Sequence, residues 1–171
     1  GNRLFTMGAF DQKEKLLALN ALTGKTLWEV EVGALLTNNW GDGPRMSPAV
    51  ADGLVYALGG RGKLVCVEIE TGKIRWSKGL VEDLGGKVPG WGYTESVLVD
   101  QGRVICTPGG KKGALAALDA KTGNVLWQSK DFTDGAQYSS PIVIEHGGNR
   151  QYVQLVMKNL VGIKADNGDL L

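Results

Sequence analysis

Short apolar runs alternate with glycine-containing turns along the whole chain, and within many of them apolar and polar residues take turns at a period of two. That period marks half-buried β-strands, because successive side chains of a strand point to opposite faces. Residues 47–51, 54–58, 64–69 and 73–77 form one set of four predicted strands, divided by Asp52-Gly53, by a glycine-rich loop at 59–62 and by Thr71-Gly72. The set recurs at 96–99, 103–107, 114–118 and 125–128, and again in part at 141–144, 152–157 and 160–163. An earlier partial set covers 3–7, 16–19 and 26–30. No window carries the 3.6-residue period of an amphipathic helix, so the expected class is all-β with almost no helix.

The punctuation repeats along with the strands. Thr23-Gly24, Thr71-Gly72 and Thr122-Gly123 are each followed, four residues after the glycine, by Trp28, Trp76 and Trp127, and Asn167-Gly168 supplies a fourth copy of the turn. Gly24, Gly72, Gly123 and Gly168 are 48, 51 and 45 residues apart, a period that suits four short antiparallel strands and falls in the range of propeller blades. The chain therefore reads as a β-propeller fragment of about three and a half four-stranded antiparallel blades. The expected divisions are a partial blade at 1–34, blades at about 45–80 and 94–132, and a partial blade at about 138–171. The first set lacks an innermost strand and the last an outermost one, which leaves open sheet edges. Such edges invite pairing, either with further blades or by self-association, and two copies would build a pseudo-ring of about seven blades.

Charge narrows the partners. Nineteen basic residues against eighteen acidic ones leave a formal charge of +1, too small a field to hold nucleic acid or an anionic membrane surface. No apolar run approaches the roughly 20 residues of a helical membrane span, and residues 1–6 lack the basic, apolar and small-residue succession of a secretion signal. Cys66 and Cys106 stand forty residues apart inside apolar runs, a spacing that suits buried thiols better than a zinc site. The loops at 59–63 and 109–113 contain glycine and lysine but neither has the P-loop spacing nor precedes a helix, so both are expected to be hairpin loops. His146, the one histidine, is expected in an exposed turn, and a lone imidazole can support neither a histidine-rich metal site nor a Ser-His-Asp triad.

The repeat carries a family resemblance. Residues 117–127, which run Ala-Leu-Asp-Ala-Lys-Thr-Gly-Asn-Val-Leu-Trp, resemble the tryptophan-docking repeat of the pyrroloquinoline quinone (PQQ) propellers, and 19–28 and 67–76 match it more loosely. The family includes quinoprotein alcohol dehydrogenases, the non-enzymatic propeller lipoprotein of the outer-membrane β-barrel assembly machinery (BamB) and propellers attached to sensor kinases. The resemblance implies a structural docking role for Trp28, Trp76 and Trp127, and a periplasmic or otherwise extracytoplasmic location. It also admits PQQ with Ca²⁺ as a cofactor pair. Against a dehydrogenase stands the absence of the adjacent cysteine pair common in those enzymes, and only Glu95 with Asn38 or Asn39 offers itself for calcium. A non-catalytic scaffold that binds a protein partner or small ligand on the propeller face is the favoured function; a quinone-dependent alcohol dehydrogenase or a sensor propeller is the alternative.

Chemistry is expected where the outer strand of one blade leads into the inner strand of the next, because those loops open on one face. Three such loops, at 38–47, 90–96 and 135–140, each place aromatic and polar residues just before a serine. The candidate ligand- or partner-binding residues at this channel mouth are Trp40, Arg45, Trp91, Tyr93, Glu95, Tyr138 and Ser139; no catalytic residue and no metal ligand is assigned. In one reading Arg45 holds an anionic group, Glu95 accepts hydrogen bonds or a metal, and an aromatic stacks on a planar ligand. In the other, Arg45 and Glu95 satisfy each other across adjacent blades, as buried charges must.

Overall fold

A computed structural model describes all 171 residues, and it contains strands and turns but no helix. Four antiparallel sheets follow one another along the chain. The first holds β1 (Arg3–Phe10), β2 (Lys13–Asn20) and β3 (Thr26–Ala34). The second holds β4 (Ala49–Ala51), β5 (Leu54–Leu58), β6 (Lys63–Glu68) and β7 (Ile74–Gly79). The third holds β8 (Leu98–Asp100), β9 (Arg103–Cys106), β10 (Ala116–Asp119) and β11 (Val125–Gln128), and the fourth β12 (Ile142–His146), β13 (Asn149–Leu155) and β14 (Leu160–Lys164). In every sheet the spatial order equals the chain order, the meander that defines a propeller blade. The expected three-, four-, four- and three-stranded sets are all present. One local expectation is corrected: His146 is the last residue of β12, exposed, and the turn that follows is Gly147-Gly148.

The repeat owes its spacing to contacts between blades. The indole nitrogen of Trp28 donates to the Ile69 carbonyl at 2.9 Å, that of Trp76 to Ala120 at 3.0 Å and that of Trp127 to Ala165 at 3.0 Å. Each acceptor lies in the following blade, just ahead of that blade's turn glycine. The glycines themselves, Gly72, Gly123 and Gly168, sit against the rings of Trp28, Trp76 and Trp127. A Cβ would meet ring atoms there at 3.0, 2.7 and 2.6 Å, and φ lies between +72° and +81°, so both space and backbone require glycine. Each tryptophan thus rests on the turn that begins the next copy of its own motif.

Between the sheets the apolar residues close into two clusters. The larger spans the first three sheets through Leu16, Leu58, Leu64, Val104 and Leu118, and the smaller joins the third and fourth through Ile105, Leu115, Trp127, Tyr152 and Ile163. β5 is buried along its whole length, as expected of a middle strand covered on both faces, and burial of such aliphatic side chains stabilises by about 1.5–3 kcal/mol each. Cys66 and Cys106 are free and buried in these layers, and burial pushes the Cys66 thiol up to about 11. One polar link joins the third and fourth blades: Asp100 on β8 accepts from Arg150 and from the Tyr152 hydroxyl at 2.9 Å, both on β13.

Candidate ligand-binding face

The loops that lead from each outer strand into the next inner strand lie at one end of the strands and are tied together. The Ser47 amide donates to the Ser96 hydroxyl at 3.0 Å, and the Ser96 amide donates to the Ser140 hydroxyl at 2.9 Å. The serines that open successive inner strands therefore form a hydrogen-bonded relay from blade to blade. The sequence points to this register, but it is Ser140 that completes the relay. Ser139 instead donates its hydroxyl to the Leu155 carbonyl at 2.6 Å, which fastens the last loop to the end of β13.

A cavity of about 350 Å³ opens among these loops, lined by Trp40, Arg45, Trp91, Thr94 and Tyr138. The Trp91 and Tyr138 rings stack with centroids 4.9 Å apart and planes 29° apart, and Trp40 meets Trp91 edge-on at 6.5 Å. Three loops from three different blade junctions thus contribute one aromatic each. Trp40 is 82 % exposed, an unusual placement for an indole. Its loop is folded locally by Asn38, whose side-chain oxygen accepts from the Trp40 amide at 2.9 Å and whose amide group donates to Gly90 in the next loop at 3.1 Å. Arg45 donates to the carbonyls of Gly41 and of Trp91, bridging the same two loops.

Two of the expected face residues lie elsewhere. A turn closed by the Gly92 amide on the Pro89 carbonyl, with Gly92 at φ +78°, reverses the direction in which the following side chains point. Trp91 faces the cavity, whereas the next aromatic, Tyr93, is 1 % exposed and donates its hydroxyl to the Pro108 carbonyl at 2.8 Å. Glu95 is buried as well, and its Oε1 accepts from the Thr107 amide at 2.6 Å while Oε2 has no partner. Burial pushes its carboxyl up to about 7, against the opposing effect of its bonds to Thr107. The Arg45–Glu95 pair is not formed: the guanidinium is held by backbone carbonyls at the surface and the carboxyl lies in the blade interior. Thr94, which the sequence does not single out, joins the cavity in their place, with its hydroxyl oxygen buried and unpartnered.

The chain resembles known proteins along nearly all of this architecture. A profile described as "Outer membrane protein assembly factor BamB" matches residues 12–171. The chain belongs to this family of PQQ-like propellers. Among its relatives are the outer membrane protein assembly factor BamB of Escherichia coli (strain K12), 30% identical over 128 residues that cover 72% of the chain and 30% of that protein, and that of Alkalilimnicola ehrlichii, 30% identical over 168 residues that cover 92% of the chain and 37% of that protein. The chain spans about a third of the length of these relatives. Among solved structures, BamB from Moraxella catarrhalis matches with a TM-score of 0.68 at 15% identity, covering 100% of the chain and 48% of that structure. The quinohemoprotein alcohol dehydrogenase from Comamonas testosteroni matches with a TM-score of 0.66 at 18% identity, over 97% of the chain and 34% of that structure. At these identities the two structures share the fold with this chain, and the fold alone is common to both classes.

Within the BamB family chain, the residues do not fit a quinone and calcium centre. No group of three or more carboxylate, histidine or cysteine side chains gathers where a metal ion could be held. Glu95 turns into the blade, and the Asn38 amide is engaged with backbone of its own and the neighbouring loop. Cys66 and Cys106 lie in different sheets. Arg45 is the one charged side chain lining the aromatic cavity, a sparse complement for a polyanionic quinone.

Proposed function

We propose that this chain is a non-catalytic binding scaffold for protein assembly, acting outside the cytoplasm, and that it holds a protein partner against the loop face through Trp40, Trp91 and Tyr138. The relatives' role as outer membrane protein assembly factors supports the setting. The observation that carries the reading is a division among the five tryptophans. Trp28, Trp76 and Trp127 turn inward and give their indole N–H groups to backbone carbonyls of the next blade. Trp40 and Trp91 turn outward at 82% and 49% exposure and crowd together with Tyr138 around one cavity. Exposed aromatics clustered in this way mark protein-binding hot spots, because large rings bury much area at small conformational cost.

The reading is tested in a cell that depends on the complete protein for assembly of its outer-membrane β-barrels. A W40A/W91A double variant is expected to fold to the same thermal midpoint, since both rings are solvent-facing, and to lower the amount of folded barrel protein in the membrane. Unchanged barrel levels with the variant present at normal amounts would contradict it. Alcohol-dependent dye reduction after addition of quinone and calcium to the purified protein would instead favour the dehydrogenase alternative.

A further inference from the structure

The residues ahead of the relay serines Ser47, Ser96 and Ser140 alternate in direction. Two positions ahead stand Arg45, Thr94 and Tyr138, and all three line the aromatic cavity. One position ahead stand Met46, Glu95 and Ser139, and none of these lines it. That second place is filled in three ways. Met46 is buried and joins the larger apolar cluster, and Ser139 gives its hydroxyl to the Leu155 carbonyl. Glu95 has neither solution: its Oε1 accepts the Thr107 amide and its Oε2 accepts nothing. At 2% exposure within this chain alone, that oxygen lies out of reach of any residue outside the chain.

A neutral carboxyl tolerates such a place, whereas a carboxylate with one amide partner does not, because burial penalises the charged form. The titratable groups that face Glu95 are Tyr93, from its own loop, and Cys106, from β9; burial pushes both up, so both stay neutral beside it. Arg45, on the preceding loop, is held at the surface by the Gly41 and Trp91 carbonyls. An ionised Glu95 is therefore relieved only by water, and it cannot reach water without moving its neighbours. Thr94 on one side is a wall of the cavity. Ser96 on the other is the middle of the relay, accepting from the Ser47 amide and donating its own amide to Ser140. Withdrawal of Glu95 also frees the Thr107 amide, which fastens this segment to the end of β9. It breaks the relay at its centre and parts the loops that carry Trp40, Trp91 and Tyr138. Resting on the scaffold reading above, we infer that Glu95 is a proton-operated latch of the partner-binding face. Neutral, it stays in the blade and keeps the aromatic cavity assembled. Once its proton passes to water it is expelled, residues 91–96 open, and the face loses its hold on the partner.

The test is hydrogen exchange of the complete protein at about pH 5 and about pH 8, expressed as protection so that the intrinsic pH dependence of exchange is removed. In the native protein the protection of residues 91–96 and of the Thr107 amide is expected to fall about seventyfold between the two. This is the linkage of a carboxyl that titrates at about 7 when closed and near 4.5 when open. That protection is also expected to stay below that of β5, which is buried along its whole length. Glu95→Gln keeps the shape of the neutral carboxyl, and Glu95→Met places there the residue of the preceding blade. In both variants the fall is expected to shrink to less than about threefold. A fall that persists in both variants overturns the latch. So does protection of residues 91–96 equal to that of β5 at both pH values, because the sheet then opens as a whole. Coupling to the partner is read in cells held at an external pH of about 8, where Glu95→Met is expected to leave more folded barrel protein in the membrane than the native protein does; equal levels overturn that coupling. Failure of the latch leaves the scaffold reading standing, because the W40A/W91A variant decides that reading separately. If exchange follows the latch and W40A/W91A leaves barrel levels unchanged, the scaffold reading fails, and with it the role of the latch at a partner-binding face.

Discussion

Glu95 and Glu14 are both buried carboxylates, and their surroundings separate them. Both oxygens of Glu14 accept backbone amides, from Leu36 at 3.1 Å and Gly60 at 2.7 Å. Glu95 has one such bond and one empty oxygen, and burial holds its carboxyl at about 7. A raised carboxyl means that the folded chain keeps a proton which the unfolded chain releases near 4.5. The stability that this proton contributes is complete below pH 4.5 and is lost as pH rises through about 7, in total about 3 kcal/mol. Asp100 works in the opposite sense: the Arg150 guanidinium holds its carboxyl below the usual range, so its contribution is present above that range and is lost as pH falls. Its slope lies below the Glu95 window. Urea unfolding at pH 5 and pH 7.5 is expected to show the native chain less stable at the higher pH, and Glu95→Gln to remove most of that difference. An unchanged difference in the variant would assign the slope to another group.

The same residues show what a one-dimensional reading can and cannot carry. Trp40, Arg45, Trp91 and Tyr138 are legible because they are aromatic or charged residues outside the repeat, in loops that recur at one register. Tyr93 and Glu95 share that loop but not its outcome. Gly92 adopts a positive φ that sends the chain inward after Trp91, and a glycine in a glycine-rich loop does not announce which way its neighbours will face. The role of Thr94 follows from the same reversal.

At the scale of the element, the blade junction is a tryptophan resting on the next blade's turn. This part of the fold is almost wholly legible, because the motif repeats and its period fixes four strands. The junctions differ in one respect that no motif reveals. The Ala120 carbonyl accepts from Trp76 and also from the Tyr56 hydroxyl at 3.1 Å, whereas the Ala165 carbonyl accepts from Trp127 and no second side chain. Trp127→Phe therefore strips a buried carbonyl of its side-chain donor, and Trp76→Phe leaves one behind. The cost of an unsatisfied buried group is about 1–3 kcal/mol, and for a chain of this size each kcal/mol moves the thermal midpoint by about 2–4 °C. Calorimetry is expected to rank Trp127→Phe as the more destabilised of the two. The reverse order would mean that ring packing, not the hydrogen bond, sets the strength of the junction.

For the whole molecule, the loops of successive blades converge at one end of the strands, and this brings together aromatics from residues 40, 91 and 138 that are remote in sequence. Their position in loops at one register is legible; their contact is a product of blade curvature and of the serine relay, and only the fold supplies it. The docking turns and the equivalent turn of the first blade lie at the other end of the strands, where Leu22 is 78% exposed. These two ends offer a direct comparison. A photoreactive amino acid placed at position 40 of the complete protein, and in a second variant at position 22, reports which end meets a protein in the living cell. The account predicts cross-links from position 40 to a component or substrate of outer membrane protein assembly, and none of these from position 22. Cross-links from position 22 alone, with position 40 silent, would contradict it.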